Sequence, residues 1–573
     1  MQRTAETDEW TAPVAYTVTD RLLDRIAEAG VDRVFGVPGD FTLGLLDHVE
    51  VHERVTWVGT ANELGAGYAA DGYARIRGLG VLCTTFGVGE LSAINAVAGS
   101  YAEHVPVLHL VGAPTTATQR AARPTHHTLG DGDFRHFARM SDEITCVQGF
   151  LTADNAAEEI DRVLTEVMRR RVPGYLLLPA DVAQAESAPP TSPFVVPAPL
   201  TEATALAEFR SAAAELLSGA PSVAVLADIL VQRMGAQDAL DALLACGLPH
   251  ATLLWGRRVV DERRPGYLGS YIGEISAPEV RAGIEGADVL IQVGVQFTDL
   301  TSGFYSQHLP ASTIEIRPDS ARVGSRSFSP VAMHDALEAV TEVVSERPRP
   351  TTVETDDPAH PVTADPRIDD GALTQISLWQ TVSAALRPGD LVLADQGTAF
   401  YGMATHRLPH DALFIGQPLW ASIGYTLPAL LGAATAAPER RPIVLIGDGA
   451  AQLTIAELGT LARAGVPATV LIVDNDGYTI ERAIHGAQAQ YNDIARWDWT
   501  ALAAALAPSA DVTAVRVETA AELATALDEI GSGLTVIQAV VPRLDIPPFL
   551  AALAALAARA NADPQREVSD PRP

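Results

Sequence analysis

Two short turns of glycine and acid carry the most evident chemistry in this chain. Gly447-Asp448-Gly449 closes the apolar run PIVLIG (Pro442 to Gly447), and Asp474-Asn475-Asp476-Gly477 closes the run ATVLIVD (Ala468 to Asp474). Read as consecutive parallel strands joined by a right-handed crossover, these runs end side by side, where doubly wound sheets bind their ligands. Asp448 then offers a carboxylate, Asn475 an amide oxygen and Gly477 a backbone carbonyl. Such hard oxygen donors suit Mg²⁺, with a diphosphate filling the other coordination positions. A Gly-Asp-Gly turn alone is common after strands, so the pairing of the two turns carries the reading. A second candidate is His126-His127, in PTHHTLGDGDFRH. Histidine is suited to proton transfer near neutrality, although two adjacent loop histidines are ordinarily just solvated.

The elements that must hold these residues are read from periodicity. Near the start, Leu22, Leu23, Ile26 and Ala29 share one helical face, Gly30 can end that helix, and VDRVFGV follows as a strand. The strand VLCTTF (Val81 to Phe86), a helix beginning near Glu90 and the strand PVLHLVG form a second unit. A middle block has SVAVLAD, ADVLIQVG and STIEIRP as strands and no polar cluster that connects to chemistry. In the last block, the helical TIAELGTLARA joins the two metal-site strands. Two polar, proline-rich stretches, Glu186 to Leu200 and Glu346 to Pro366, read as linkers. The alternation of strands and helices predicts parallel α/β domains throughout.

Composition bounds the function. At 573 residues the chain is long enough for several domains. A formal charge of −31 disfavours nucleic acid and anionic membranes as partners. No apolar run approaches the length of a membrane span, and MQRTAETDEW has no signal-peptide pattern, so the expected location is the cytoplasm. Cys83, Cys146 and Cys246 lack metal-ligand spacing. The sequence contains no lysine, so all 40 basic residues are arginine. That excludes Schiff-base and pyridoxal-phosphate chemistry and the Walker-A loop. If the protein stabilises a carbanion, a different cofactor must be the electron sink.

Gly-Asp-Gly, an intervening helix, a strand and then Asn-x-Gly-Tyr-Thr-Ile-Glu together resemble the thiamine-diphosphate signature. The segments GDGAAQLTIAEL and GYTIERAIHG resemble the indolepyruvate and branched-chain 2-oxo-acid decarboxylases of the pyruvate decarboxylase group. Similarity runs from FGVPGDF near the start to DIPPFL near the end. The resemblance implies three parallel-sheet α/β domains: pyrimidine-binding (1–185), central (201–345) and diphosphate-binding (367–573). It implies thiamine diphosphate and Mg²⁺ as cofactors, and non-oxidative decarboxylation of a 2-oxo acid to an aldehyde. Asp474 is a departure, because the family more often has a second Asn there.

The same resemblance assigns roles. Glu63, in ANELGAGYAADGYAR, matches the glutamate that activates the cofactor through its pyrimidine nitrogen. Gly397, Thr398, Ala421, Ile423, Gly447, Asp448, Gly449, Asn475, Gly477 and Tyr478 match cofactor contacts, with Asp448, Asn475 and Gly477 as metal ligands. Ile423 would hold the cofactor bent; Ala421 stands where the family usually has Gly and would offer its carbonyl to the cofactor's amino group. Asp40, His126, His127 and Glu481 match the acid-base set that protonates the carbanion left after CO₂ departs, a set that related carboligases and oxidases lack. Because Glu63 and the metal motif lie in different blocks, and in the family in different subunits, a homodimer pairing into a homotetramer is expected. Phe400, Tyr401 and Ile480 would line the substrate pocket, and Phe400 should favour branched aliphatic acids or phenylpyruvate over indolepyruvate. Ile229 and Leu230 stand where some pyruvate decarboxylases carry a regulatory cysteine, so hyperbolic kinetics are expected. A thiamine carboligase and a catalytically silent cofactor-binding protein are the alternatives; aldehyde, a 2-hydroxyketone or no turnover would distinguish the three.

Overall fold

Strands buried on both faces cannot alternate polar with apolar residues, and the continuous apolar runs of this chain form such strands. The computed structural model describes residues 15–347, 371–508 and 510–562. The second proline-rich stretch, from position 348 onward, and the extreme C-terminal tail lie outside the described residues. Residues 15–197 form one compact unit and 198–562 the other.

In the first unit, β1 (Arg33–Gly36), β2 (Thr56–Gly59), β3 (Gly80–Thr85), β4 (Val107–Ala113), β5 (Gln148–Phe150) and β6 (Gly174–Pro179) make a parallel sheet of order β2-β1-β3-β4-β6-β5. Every residue of β3, β4 and β6 is buried. The first helix spans Val18–Glu28, opened by a Thr17/Asp20 capping box, with Leu22, Leu23 and Ile26 fully buried. The next predicted helix begins at Val88, with Glu90 accepting from the Gly87 N–H at 2.8 Å. The stretch from Ser187 to Leu200 has no helix or strand. Its first half returns onto the first helix, where Arg21 and Arg25 donate to the carbonyls of Ala188 and Ser192.

The second unit carries two sheets. The central one contains β7 (Val223–Ala227), β8 (His250–Thr252), β9 (Tyr267–Ser270), β10 (Val289–Val293), β11 (Thr313–Ile316), β12 (Ala321–Val323) and β13 (Arg326–Phe328), in the order β13-β12-β11-β10-β7-β8-β9. Five strands are parallel, but β12 and β13 run antiparallel, a departure from the all-parallel expectation. Strands of three residues joined by a tight turn can pair only as a hairpin, and the hairpin covers the edge of β11. The C-terminal sheet contains β14 (Leu391–Ala394), β15 (Leu413–Ile415), β16 (Pro442–Gly447), β17 (Thr469–Asp474), β18 (Val512–Val517) and β19 (Leu534–Val540). It is parallel, with order β15-β14-β16-β17-β19-β18, the same winding as the first unit.

The middle block does carry a buried polar pair. Arg257 and Glu262, each with 2% of its side chain exposed, meet at 3.1 Å. Arg257 also donates to the carbonyls of Met403 and His406, both at 2.5 Å, and Glu262 accepts from the Leu408 N–H at 2.9 Å. The segment after β8 is thus tied to the end of the helix Thr398–Met403 and the residues just beyond it. Among the described residues, no helix is long and apolar enough to cross a membrane.

Candidate active site

In the first unit, chain order reverses between β1 and β3, which opens a crevice at their carboxyl ends. Asp40 and Phe41 follow β1, and Glu63 begins the helix Glu63–Arg77 after β2. Asn62 caps that helix by accepting from the Gly65 N–H at 2.7 Å, so Glu63 is not needed to start it. The Glu63 carboxylate is half-buried, with Oε1 3.3 Å from where a Cβ on Gly89 would stand; Thr84 and Thr85, at the end of β3, flank the same glycine.

Three of the four expected acid-base residues converge in this unit. His126 Nε2 lies 2.8 Å from Asp40 Oδ2, and the rings of His126 and His127 meet edge to face at 4.7 Å between centroids. Phe41 stacks on His126 at 5.0 Å. His127 has a left-handed backbone (φ 61°), and its buried Nδ1 has no hydrogen-bond partner among the described residues. Its carbonyl presses so closely on Gly87 that any side chain there would collide with it. Asp40 and His126 are both largely exposed. Glu481 belongs to the other unit, exposed in the short helix Thr479–Ile484.

In the C-terminal sheet the corresponding reversal lies between β14 and β16. Asp448 follows β16 directly, with the helix Asp448–Thr454 starting on it, and is 2% exposed. The expected helix from Thr454 to Ala464 therefore starts at Asp448 and is broken at Ile455 and Ala456 before Glu457–Arg463. At that break the Thr454 hydroxyl bonds the Gly424 carbonyl at 2.8 Å. Asp448 Oδ1 accepts from the Gly449 N–H at 2.7 Å and Oδ2 from the Gly477 N–H at 3.0 Å, which joins the ends of β16 and β17 as the spacing predicts. The Tyr478 ring packs on Gly449, which leaves no room for a side chain there. Gly477 has φ 121°, and an added Cβ would strike the Asn492 carbonyl, so both conformation and space require glycine.

Two orientations of the Asn475 amide test the site for a cation. In one, its oxygen stands 3.2 Å from Asp448 Oδ1 and 2.8 Å from the Gly477 carbonyl oxygen; in the other, its nitrogen donates to both and its oxygen accepts from Thr479 Oγ1 at 3.3 Å. The second orientation satisfies the amide by hydrogen bonds, and turning it over presents its oxygen beside Asp448 Oδ1 and the Gly477 carbonyl, the set of oxygen donors a cation would use. Burial pushes the Asp448 carboxyl up to about 7, with nearby Asp474 contributing, so this is a buried acid short of positive charge. The donor set therefore fits Mg²⁺.

The other expected cofactor contacts border the same crevice. Gly397 and Thr398 follow β14 and begin the helix Thr398–Met403. Ala421 and half-buried Ile423 lie in the loop before the helix Thr426–Ala436. Asp395, which the sequence reading missed, anchors that loop: buried at the end of β14, it accepts from the N–H groups of Gly424 and Thr426 at 3.1 Å and from the Thr426 hydroxyl at 2.7 Å. Its position directly after a strand, like that of Asp448, was the available signal. Phe400 and Tyr401 are buried, Phe400 between Tyr401 and Phe414 and against Gly416, while Ile480 packs at the edge of the same apolar cluster.

Ala421 has φ 57°, which gives a physical reason for glycine at this place. A left-handed alanine costs about 1–2 kcal/mol, and the greater freedom of glycine in the unfolded chain offsets about 0.4–1 kcal/mol of any gain. Ala421→Gly is therefore expected to stabilise the protein by roughly 0.5–1 kcal/mol, read as a higher urea midpoint. A lower midpoint would show that the methyl packs usefully.

Comparison with known proteins agrees with this geometry. Three thiamine pyrophosphate enzyme domain models match: the N-terminal TPP binding domain over residues 16–136, the central domain over 210–343 and the C-terminal TPP binding domain over 396–539. The chain is 53% identical to an alpha-keto-acid decarboxylase of Mycolicibacterium paratuberculosis, over 96% of this chain and 97% of that protein. It is 52% identical to the alpha-keto-acid decarboxylase of Mycobacterium ulcerans (95% and 96% covered) and 51% identical to that of Mycobacterium tuberculosis (96% and 98%). With its windings, its strand-end carboxylates and full-length similarity in agreement, the chain belongs to the thiamine-diphosphate-dependent alpha-keto-acid decarboxylase family.

Proposed function

We propose that this protein converts a branched-chain or aromatic 2-oxo acid to the aldehyde and CO₂, with thiamine diphosphate held through Mg²⁺. The observation that carries the reading is the Asp40–His126–His127 cluster, a set of proton carriers that carboligation does not require. When bound, the cofactor supplies the electron sink that a chain without lysine lacks. Glu63 would hydrogen-bond its pyrimidine ring, and the carbonyl of Ala421 would receive its amino group. Asp448, Asn475 and the carbonyl of Gly477 would hold the metal. The histidines, with Asp40 and Glu481, deliver the proton that releases aldehyde. The resemblance further supports a cytoplasmic homodimer pairing into a homotetramer, which sedimentation at working concentration would test.

Turnover of 4-methyl-2-oxopentanoate, phenylpyruvate and indolepyruvate, with product identification, tests the reaction. Aldehyde is expected, and a 2-hydroxyketone as the main product, or cofactor binding without turnover, would overturn it. Phe400 supports the expected ranking, because a buried phenyl ring leaves less room for the indole. Its truncation to alanine in a packed core costs about 3–5 kcal/mol, so Phe400→Leu is the cleaner probe. That variant should shift kcat/KM towards indolepyruvate by about tenfold, the discrimination overpacking typically produces. Unchanged ratios would remove Phe400 from the pocket.

A further inference from the structure

The loop that presents Asn475 and Gly477 has an unusual path. Asp476 has φ 60° and Gly477 φ 121°, so two successive residues leave the common backbone regions. Something must hold that turn, and the side chain beneath it is Arg482, only 3% exposed. One guanidinium nitrogen donates to the Asn475 carbonyl at 3.3 Å and the Thr479 hydroxyl at 3.2 Å. The other donates to the Asp476 carbonyl at 2.6 Å, the Asn492 carbonyl at 3.0 Å and Asp493 Oδ1 at 3.0 Å. Of the three consecutive carbonyls in the turn, Arg482 takes the first two. The third, that of Gly477, faces the Asn475 side chain, with the Thr479 N–H as its only backbone donor among the described residues.

We propose that Arg482 is a positioning residue for the metal site: it fixes the turn whose third carbonyl and first side chain serve as cation ligands. This rests on the assignment of Asp448, Asn475 and Gly477 as that site. The planar fork is required because a single ammonium cannot reach the carbonyls of Asn475, Asp476 and Asn492 at once. Buried hydrogen bonds to a charged donor also make the turn stiff, so that the ligands are aligned before the cation arrives.

The test is Mg²⁺ titration of thiamine diphosphate retention by equilibrium dialysis, starting from chelator-stripped protein. Arg482→Met should raise the half-saturating Mg²⁺ concentration at least tenfold, and Arg482→Lys at least threefold. Should the Met variant not fold, the Lys variant alone decides. Arg441→Met is the control: Arg441 bonds Asp390 and the Ala385 carbonyl at the opposite end of β16, so it reports a general loss of stability. Half-saturation within twofold of the parent in the Arg482 variants, or an equal shift in Arg441→Met, overturns the proposal. Asp448→Asn measured in parallel separates two failures. If it weakens Mg²⁺ dependence while the Arg482 variants do not, only the role of Arg482 is lost; if it too is unchanged, the metal-site assignment falls with it.

Discussion

Glu63→Gln should keep its fold and its thiamine diphosphate and lose at least a hundredfold in turnover, the scale on which proton-transfer groups contribute. The amide has the same shape but cannot lend a proton to the pyrimidine nitrogen. The fold should survive because Asn62, not Glu63, caps the helix. What the helix loses is the favourable placement of a negative charge at its amino end, about 0.3–1 kcal/mol. Circular dichroism, cofactor retention and turnover on one sample would check all three expectations. Activity within a factor of two of the parent would end the assignment.

Asp448→Ala should make cofactor retention indifferent to Mg²⁺, with apparent affinity reduced by at least about a hundredfold, since lesser losses already follow from changing residues behind metal ligands. The substitution removes the charged ligand and also orphans the N–H groups of Gly449 and Gly477, which now converge on it. Dialysis with and without chelator measures this directly. Affinity that matches the parent in both conditions would remove the metal role.

Much of this architecture was legible because it is written in local patterns. The runs PIVLIG and ATVLIVD read as strands because both faces are buried, and parallel pairing then brings Asp448 and the N–H of Gly477 together from distant positions. The Asp40–His126 pair was legible only through resemblance, since nothing local joins a turn after β1 to a loop near position 126. Other features had no local signature. The hairpin of β12 and β13 is too short for a period-2 pattern to emerge. Arg257 and Glu262, within GRRVVDERR, look like a solvated charge run, and only tertiary packing buries them. Arg482 acts through backbone carbonyls, which any sequence provides, so its side chain alone gives no sign of its partners.

The Arg257–Glu262 tie also bears on how the second unit comes apart. Arg257 and Glu262 both belong to the central block, so separating the two sheets would keep their ion pair but break its hydrogen bonds to the carbonyls of Met403 and His406 and to the Leu408 N–H. Each buried hydrogen bond to a charged group is worth about 1.5–3 kcal/mol, so the three together are a large fraction of what holds a domain folded. Opening along this seam is therefore expected to be rare, with the two sheets unfolding as one cooperative unit. Backbone amides around Met403 to Leu408 should accordingly exchange their hydrogens at the pace of the whole unit, although they lie outside any strand.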